Sequence, residues 1–531
     1  MKIRIIALLI LAMITGQAQE LEIKISPFKF NGVYAIKDIQ MQTTAFASVY
    51  AQSNGVWEMK WIHADLSDTK TVRLEVPKNS VFHAMATSEN QSLLCFVDNG
   101  LRPSVYYLML DSEGNTLTSV SRSKVPLLSR GKAFWPQLYA LDQGHFLIVE
   151  PAKNKAAGYT LECVNAELQS VWRQEFYAEK GNAQVYELWI TEQGILTHQL
   201  AEKFGNVLNS KMIYIDKSNG NTIFSTALSN GENTFYPTAF YPENDRSVVM
   251  AGTYYKGSKI ESKNSKGLFL AEINTDGIFS AKQLLEWKSL KPVLKTRVSD
   301  WFFKVMPEVW MHRLDKTDDG SYVALGELFK YSGEITQTNP KTGETEAPFH
   351  KIRLMDFMRF KFNSSGEMTE AERIEKPHQF LHIQGGDLTA ETGSIQNLVN
   401  SGNLNRNKAL KESNGFTFRD AIPLADGQYA LVFASYENFV YYTYLLNTSV
   451  GNYYKYAMLK AKPEIISQLE IASRIANQYD DLSLEIEGST INFDGNDQYF
   501  RGVLPAGENK FLLYEYMPLK SLLSLKLLSN Q

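Results

Sequence analysis

Short apolar runs separated by polar turns recur along this chain. Residues 211–228, KMIYIDKSNGNTIFSTAL, show the unit most clearly. An apolar run at 212–215 ends on Asp216, a turn passes through Ser218, Asn219 and Gly220, and a second run follows at 222–228. This is a β-hairpin pattern: an Asp side chain bonds its own backbone two residues on, and Gly supplies positive φ. Related units place an apolar run before Asp65, Asp111, Asn165, Asn274, Asn363 and Asn447. From 65 to 274 these polar anchors fall roughly fifty residues apart, and insertions stretch the later steps.

A second turn lies about twenty residues before most of the anchors. It reads Glu89-Asn90, Asp142-Gln143-Gly144, Glu192-Gln193-Gly194, Glu243-Asn244-Asp245, Asp318-Asp319-Gly320 and Asp426-Gly427. Strongly apolar runs follow it: LLCFV, HFLIVE, ILTHQL, SVVMAG, SYVALG and QYALVF. Short apolar runs bounded by turns describe strands covered on both faces. Each repeat is therefore an antiparallel meander that must stack on copies of itself. The expected fold is all-β, a β-propeller of seven or eight blades, over residues 19–531. A strand at 21–25 or 29–33 is expected to complete the sheet made by the last residues and remove the open edge. Three segments break the rhythm, at 289–307, 377–415 and 463–481. The last is expected to be a helix, with Pro463 in its first turn and Ile465, Leu469, Ala472, Ala476 and Tyr479 along one side.

Composition narrows the function classes. Residues 1–18 have the form of a cleaved signal peptide: Lys2 and Arg4, an apolar core at 5–14, then Gly16-Gln17-Ala18. That core is shorter than the roughly 20 residues a membrane span needs, and no later run is long enough. The expectation is an exported chain, periplasmic or extracellular, cleaved after Ala18. Lys and Arg number 54 against 58 Asp and Glu, with no basic stripe, which argues against nucleic acid. Cys95 and Cys163 each sit in an apolar run and are expected to be buried free thiols.

The hairpin from Asp216 through Gly220 to Phe224 resembles the turn of the quinoprotein-type propeller repeat, D-x-x-T-G-x-x-x-W, and the stretch from Asn165 to Trp172 is a looser match. The resemblance implies that the turn docks neighbouring blades and that the aromatic packs between them. Quinone enzymes of that type also use adjacent cysteines, absent here, so no cofactor is expected. As a whole, a leader followed by propeller-like units without catalytic signatures resembles the uncharacterised exported proteins common in Bacteroidota. No G-x-S-x-G elbow, phosphate loop or dinucleotide fingerprint occurs. His378 and His382 have the i, i+4 spacing that two metal ligands use on a helix, with Glu375 and Asp387 nearby, although ordinary hydrogen-bonded histidines account for the pattern more simply. Asp315, Asp318 and Asp319, like Asp494 and Asp497, read as hairpin turns rather than calcium ligands. Trp301 and Trp310 flank Pro307 and are candidate surface contacts. The functional expectation is a non-catalytic binding protein that takes a glycan or protein ligand on the face carrying the insertions, with candidate residues Trp301, Trp310, His378 and His382. The alternatives are a polysaccharide hydrolase or lyase using acids and a histidine (His312, His378 or His382), and a structural envelope component.

Overall fold

A computed structural model describes residues 19–25, 29–37, 43–53, 56–88, 91–98, 104–123, 136–152, 158–192, 194–203, 206–244, 247–258, 260, 264–294, 308–335, 349–376, 379–384, 417–423, 429–437, 440–447, 452–457, 464–466, 501–506, 510–517 and 520–529. Within them the polar anchors close the turns as their chemistry dictates. Asp111 Oδ1 accepts the N–H groups of Glu113 (2.9 Å) and Asn115 (2.8 Å), and Asn274 Oδ1 those of Asp276 (3.0 Å) and Ile278 (2.9 Å). Asn165 Oδ1 does the same for Glu167 and Gln169, Asp216 Oδ1 accepts the Ser218 N–H, and Asn363 Oδ1 accepts the Glu367 N–H. These are Asx turns, each followed by the outer strand of its sheet.

Among the described residues the strands form eight antiparallel sheets, each one blade of the ring. Blades 1 to 5 span residues 29–74, 81–123, 137–177, 182–227 and 233–286. Blade 6 spans 308–374 with Gln379–Gln384 added, blade 7 spans 418–466, and blade 8 joins 501–529 to Gln19–Lys24. Apart from the added strand of blade 6 and the N-terminal strand of blade 8, each is a meander in chain order, and the first strands lie innermost, against one another. Neighbouring blades touch in sequence order, mostly through these inner strands, and blade 8 touches blade 1. The ring closes as expected: Gln19–Lys24 pairs antiparallel with Leu522–Ser529, with Ile23 opposite Leu523.

The apolar runs fill the spaces between blades. Strand residues alternate, so Ile195 and Ile213 of blade 4 pack on Leu147 and Leu161 of blade 3, while Leu196, Met212 and Tyr214 pack on Phe235, Met250 and Phe269 of blade 5. This explains why the middle strands are apolar on both faces. Cys95 and Cys163 are buried free thiols in two of these layers.

The turn resemblance holds in its structural meaning. Trp172, on the outer strand of blade 3, donates its indole N–H to Lys217 O at 2.8 Å and lies against Gly220 of blade 4. Gly220 has φ +75°, and a Cβ there would meet the indole at 2.5 Å. Phe224 of blade 4 covers Gly277 of blade 5 in the same way. Position and conformation both require glycine at these turns. Polar bolts reinforce the seams: Tyr107 Oη donates to Glu150 (2.8 Å) from blade 2 to blade 3, and Tyr159 Oη to Gln199 (3.1 Å) from blade 3 to blade 4.

One expected element is corrected. Residues 464–466 are not helical; Glu464–Ile466 is a fifth strand of blade 7, with Ile465 opposite Tyr454 and Ile466 opposite Tyr453. Two adjacent β-branched residues beside a tyrosine-rich strand gain more from pairing than from a helix. The rest of 467–481 lies outside the described residues. A short helix does occur, Trp287–Leu294, with Leu290 and Leu294 buried, at the start of the 289–307 insertion.

Candidate functional site

The meander fixes which connections share a face. In an antiparallel four-stranded blade, the first and third turns lie on one side. The second turn and the step to the next blade lie on the other. On the first side every connection has two to five residues, as between Leu110 and Thr116 or Asp216 and Thr222. On the second side begin and end the connections 287–307 and 375–417, which join blades 5 to 6 and 6 to 7, whereas the fifth strand of blade 7 ends at Ile466 on the first side. The connections that hold the breaks at 289–307 and 377–415 thus leave from and return to one face, while the 463–481 segment crosses to the other face through Glu464–Ile466.

Blade 6 also rises on that side. Its second and third strands, Tyr322–Ile335 and Phe349–Phe362, are 14 residues each, against 9 for its inner strand Glu308–Lys316. Glu308, the first residue of the inner strand, pairs with Phe329. Beyond Phe329 the second strand continues through Ile335, opposite Phe349–Leu354 of the third strand, and Gln379–Gln384 pairs along the far edge of the third strand. At about 3.4 Å per residue this three-stranded wall stands roughly 20 Å above the inner strand.

The foot of the wall holds a buried ionic centre. Glu327 is fully buried on the second strand of blade 6, and Lys376 Nζ, equally buried, lies 3.1 Å from Oε1. Thr417 Oγ1 donates to Oε1 at 2.7 Å, and the backbone N–H groups of Thr417 (3.1 Å) and Phe418 (3.3 Å) donate to Oε2. His312 Nε2–H donates to Oε2 at 3.2 Å, and the imidazole stacks on Phe418 of blade 7 with ring centroids 4.5 Å apart. Lys376 Nζ also lies 5.0 Å from the centroid of the Phe357 ring, and its backbone N–H donates to Asp356 Oδ1 at 3.2 Å. Asp356 in turn pairs with Arg373 at 2.8 Å. Burial opposes a charge on Glu327, but the Lys376 ammonium, His312 and Thr417 outweigh it and hold the carboxyl down at about 2. The centre is an ionised carboxylate filled on every side, which suits holding rather than proton transfer.

The sequence-derived candidates are not brought together. Trp310 is only 2 % exposed and packs edge-on against Tyr236 of blade 5 at 6.2 Å; it belongs to the seam between blades and is not a surface contact. A large aromatic on an inner strand fills that seam. His382 lies on the added strand of the wall, opposite Lys351. Trp301 and His378 lie outside the described residues, as do Asp494 and Asp497. Asp319 Oδ1 accepts the Ser321 N–H (2.9 Å) and Thr317 Oγ1–H (2.6 Å), so it closes a hairpin. Among the described residues no group of three His, Cys, Asp or Glu is placed to hold a metal ion.

A feature invisible in the sequence is a bulge at the same place in several inner strands. The register skips one residue at His83, Tyr186, Thr238 and His312. Three of these side chains are turned toward the next blade. His83 Nε2–H donates to Pro136 O (3.0 Å), Tyr186 lies edge-on to Tyr236 (5.3 Å), and His312 stacks on Phe418. His198, beside Tyr186, is wholly buried, shares a 2.8 Å hydrogen bond with Ser210 Oγ and is driven by burial to a pKa of about 3.

Comparison with solved structures finds distant likenesses. A protein of unknown function from Bacteroides caccae is 12% identical, with TM-score 0.25, covering 60% of this chain and 89% of that one. Polysaccharide lyase Uly1 is 8% identical, with TM-score 0.40, covering 96% and 99%. A europium-containing methanol dehydrogenase is 9% identical, with TM-score 0.32, covering 73% and 72%. At these values none carries an argument about function. No curated protein matches the sequence. The model of the family of unknown function DUF6770 matches residues 117–405, from the outer strand of blade 2 into the connection after blade 6, and the chain belongs to that family.

Proposed function

We propose that this protein is an exported, non-catalytic binding protein that takes a glycan or protein ligand on the insertion-bearing face of the ring. The observation that supports it is the placement of the connections: short turns on one face, and the ends of the long connections 287–307 and 375–417, with the blade 6 wall, on the other over blades 5 to 7. A rigid scaffold that concentrates its chain-length variation on one face is built like a loop-presenting binder. Export rests on the signal-like residues 1–18. The strand that fastens the ring begins at Gln19, so removal of the leader after Ala18 leaves the closure complete.

The test uses the mature chain, 19–531, and a variant in which residues 295–306 and 387–413 are replaced by short Gly/Ser linkers. Thermal unfolding is followed against a panel of glycans and against surface-protein fractions. A ligand at about 100 times its Kd raises native stability by roughly 2.7 kcal/mol. The expected result is a shift with one ligand class for the mature chain and none for the variant, both folded. A shift that survives shortening of both connections would place the ligand elsewhere. Turnover of a glycan that shifts the protein would replace binding with catalysis.

A further inference from the structure

Residues 377–416 are the longest stretch between blades, and both of its ends meet on one side chain. Lys376 is the residue before it, and Thr417 and Phe418 are the two residues after it. All three bind Glu327: the ammonium at 3.1 Å, the Thr417 hydroxyl at 2.7 Å, and the two backbone N–H groups at 3.1 and 3.3 Å. Glu327 itself lies on neither end. It belongs to the second strand of blade 6, fixed by pairing with Trp310 on one side and Phe357 on the other. The seam between blades 6 and 7 has another bolt away from this point: Tyr429 Oη donates to Asp315 at 2.7 Å, and Arg313 donates to Ala421 O at 2.6 Å. An apolar layer of Val323, Leu325, Phe357, Leu431 and Phe433 fills the same seam. Glu327 is therefore not needed to join the two blades, and a buried charge is a costly way to do so.

We infer that Glu327 is a positioning residue, a clip that closes the 377–416 connection at its base and sets where that connection leaves and re-enters the binding face. A carboxylate suits this role because its charge pairs with the ammonium of the departing end while its two oxygens accept from a hydroxyl and two amides of the returning end. His312 takes part of the remaining capacity and, stacked on Phe418, presses the returning end against blade 6. The functional consequence rests on the binding-face reading, but the clip is tested without any ligand.

The experiment compares the mature chain with Glu327→Ala and Thr417→Val. The second variant removes only the hydroxyl tether, keeps the side-chain shape, and serves if the first does not fold. Glu162→Gln, in the seam between blades 2 and 3, is the control for a buried ionic bond that holds no connection. The readouts are native-state hydrogen exchange and the rate of trypsin cleavage at Arg406, Lys408 and Lys411 under native conditions. For a clip, exchange at Thr417 and Phe418 and cleavage in 377–416 rise at least tenfold in the Glu327 or Thr417 variant. Exchange in blades 1 to 4 stays within twofold, and Glu162→Gln leaves cleavage in 377–416 unchanged. Equal acceleration throughout the ring would make Glu327 a general stability residue and overturn the inference. Unchanged exchange and cleavage in a folded variant would overturn it as well.

Discussion

Replacing His198 tests whether the buried seams carry an acid-labile load. The imidazole has no exposed surface, is bonded to Ser210 and is flanked by Tyr186 (5.5 Å) and Tyr236 (5.7 Å). Burial brings its pKa from the ordinary 6.5 to about 3. The folded state thus keeps His198 neutral at pH values where the unfolded chain binds a proton. Stability is full above pH 6.5 and falls as the pH drops toward 3, with a limiting slope of about 1.4 kcal/mol per pH unit. Between pH 7.5 and pH 5 the loss from this one residue is about 2 kcal/mol. In His198→Gln the side chain does not titrate and can still bond Ser210. Urea unfolding at a series of pH values gives the two stability curves. His83, whose pKa burial also lowers, and Glu327, whose acid sensitivity begins only below about pH 4.5, contribute to both curves and cancel in the difference. The expected outcome is that the wild type loses about 2 kcal/mol more than the variant over this interval. Parallel curves would mean that water or a partner group stabilises the protonated ring, and the reasoning from burial would fail.

Other predictions follow the same logic. Trp172→Ala removes the aromatic between blades 3 and 4 and leaves Lys217 O without its donor, for a loss of about 3–5 kcal/mol in equilibrium unfolding. Gly220→Ala places a methyl at φ +75° against the same indole and costs about 1–2 kcal/mol for backbone conformation alone, before the clash is counted. Ile23→Asp puts a carboxylate among Phe30, Leu512 and Leu523; hydrogen exchange at 522–529 should accelerate before that of blades 2 to 5. Cys95 and Cys163 should resist Ellman's reagent until the protein unfolds. Burial raises both thiols, Cys163 to about 11, so neither exposure nor thiolate is available.

Much of the fold was legible because it is local chemistry repeated. Asp111, Asn165, Asp216 and Asn274 each declare a hairpin by an oxygen two residues before the N–H it captures, and no distant information is needed. Ring closure was legible for a negative reason, since an unpaired edge on the last sheet needed a strand from elsewhere. The helix expected at 463–481 is overturned at 464–466, because a 3.6 spacing is weak there against a waiting sheet edge, which Tyr453 and Tyr454 supply to Ile466 and Ile465. The ionic centre was the hardest to see. Glu327 sits inside an otherwise apolar run, SYVALGELF, and that lone acid is the signal that could have marked it. Its partners, His312, Lys376 and Thr417, lie 15 to 90 residues away in sequence, and only the fold brings them together. Trp310 was misread because its neighbour Pro307 suggested a loop, whereas Trp310 is the third residue of the inner strand Glu308–Lys316.

The shared sheet of blade 8 makes the order of folding depend on pairing between the first strand and the last. Glu20 and Lys526, salt-bridged at 2.6 Å, are 506 residues apart, and the loop-closure entropy of bringing such ends together is about 5–6 kcal/mol. Until the final strand is made, the first one has no partner, and its exposed edge is open to another chain. The same geometry puts residue 19 beside residue 527, so the two ends can be joined and the ring opened elsewhere. A circular permutant broken between Tyr177 and Asn182 would build every sheet from one continuous stretch. It would give up the latch between the ends and gain speed of folding, separating the role of that latch in assembly from its role in the finished ring.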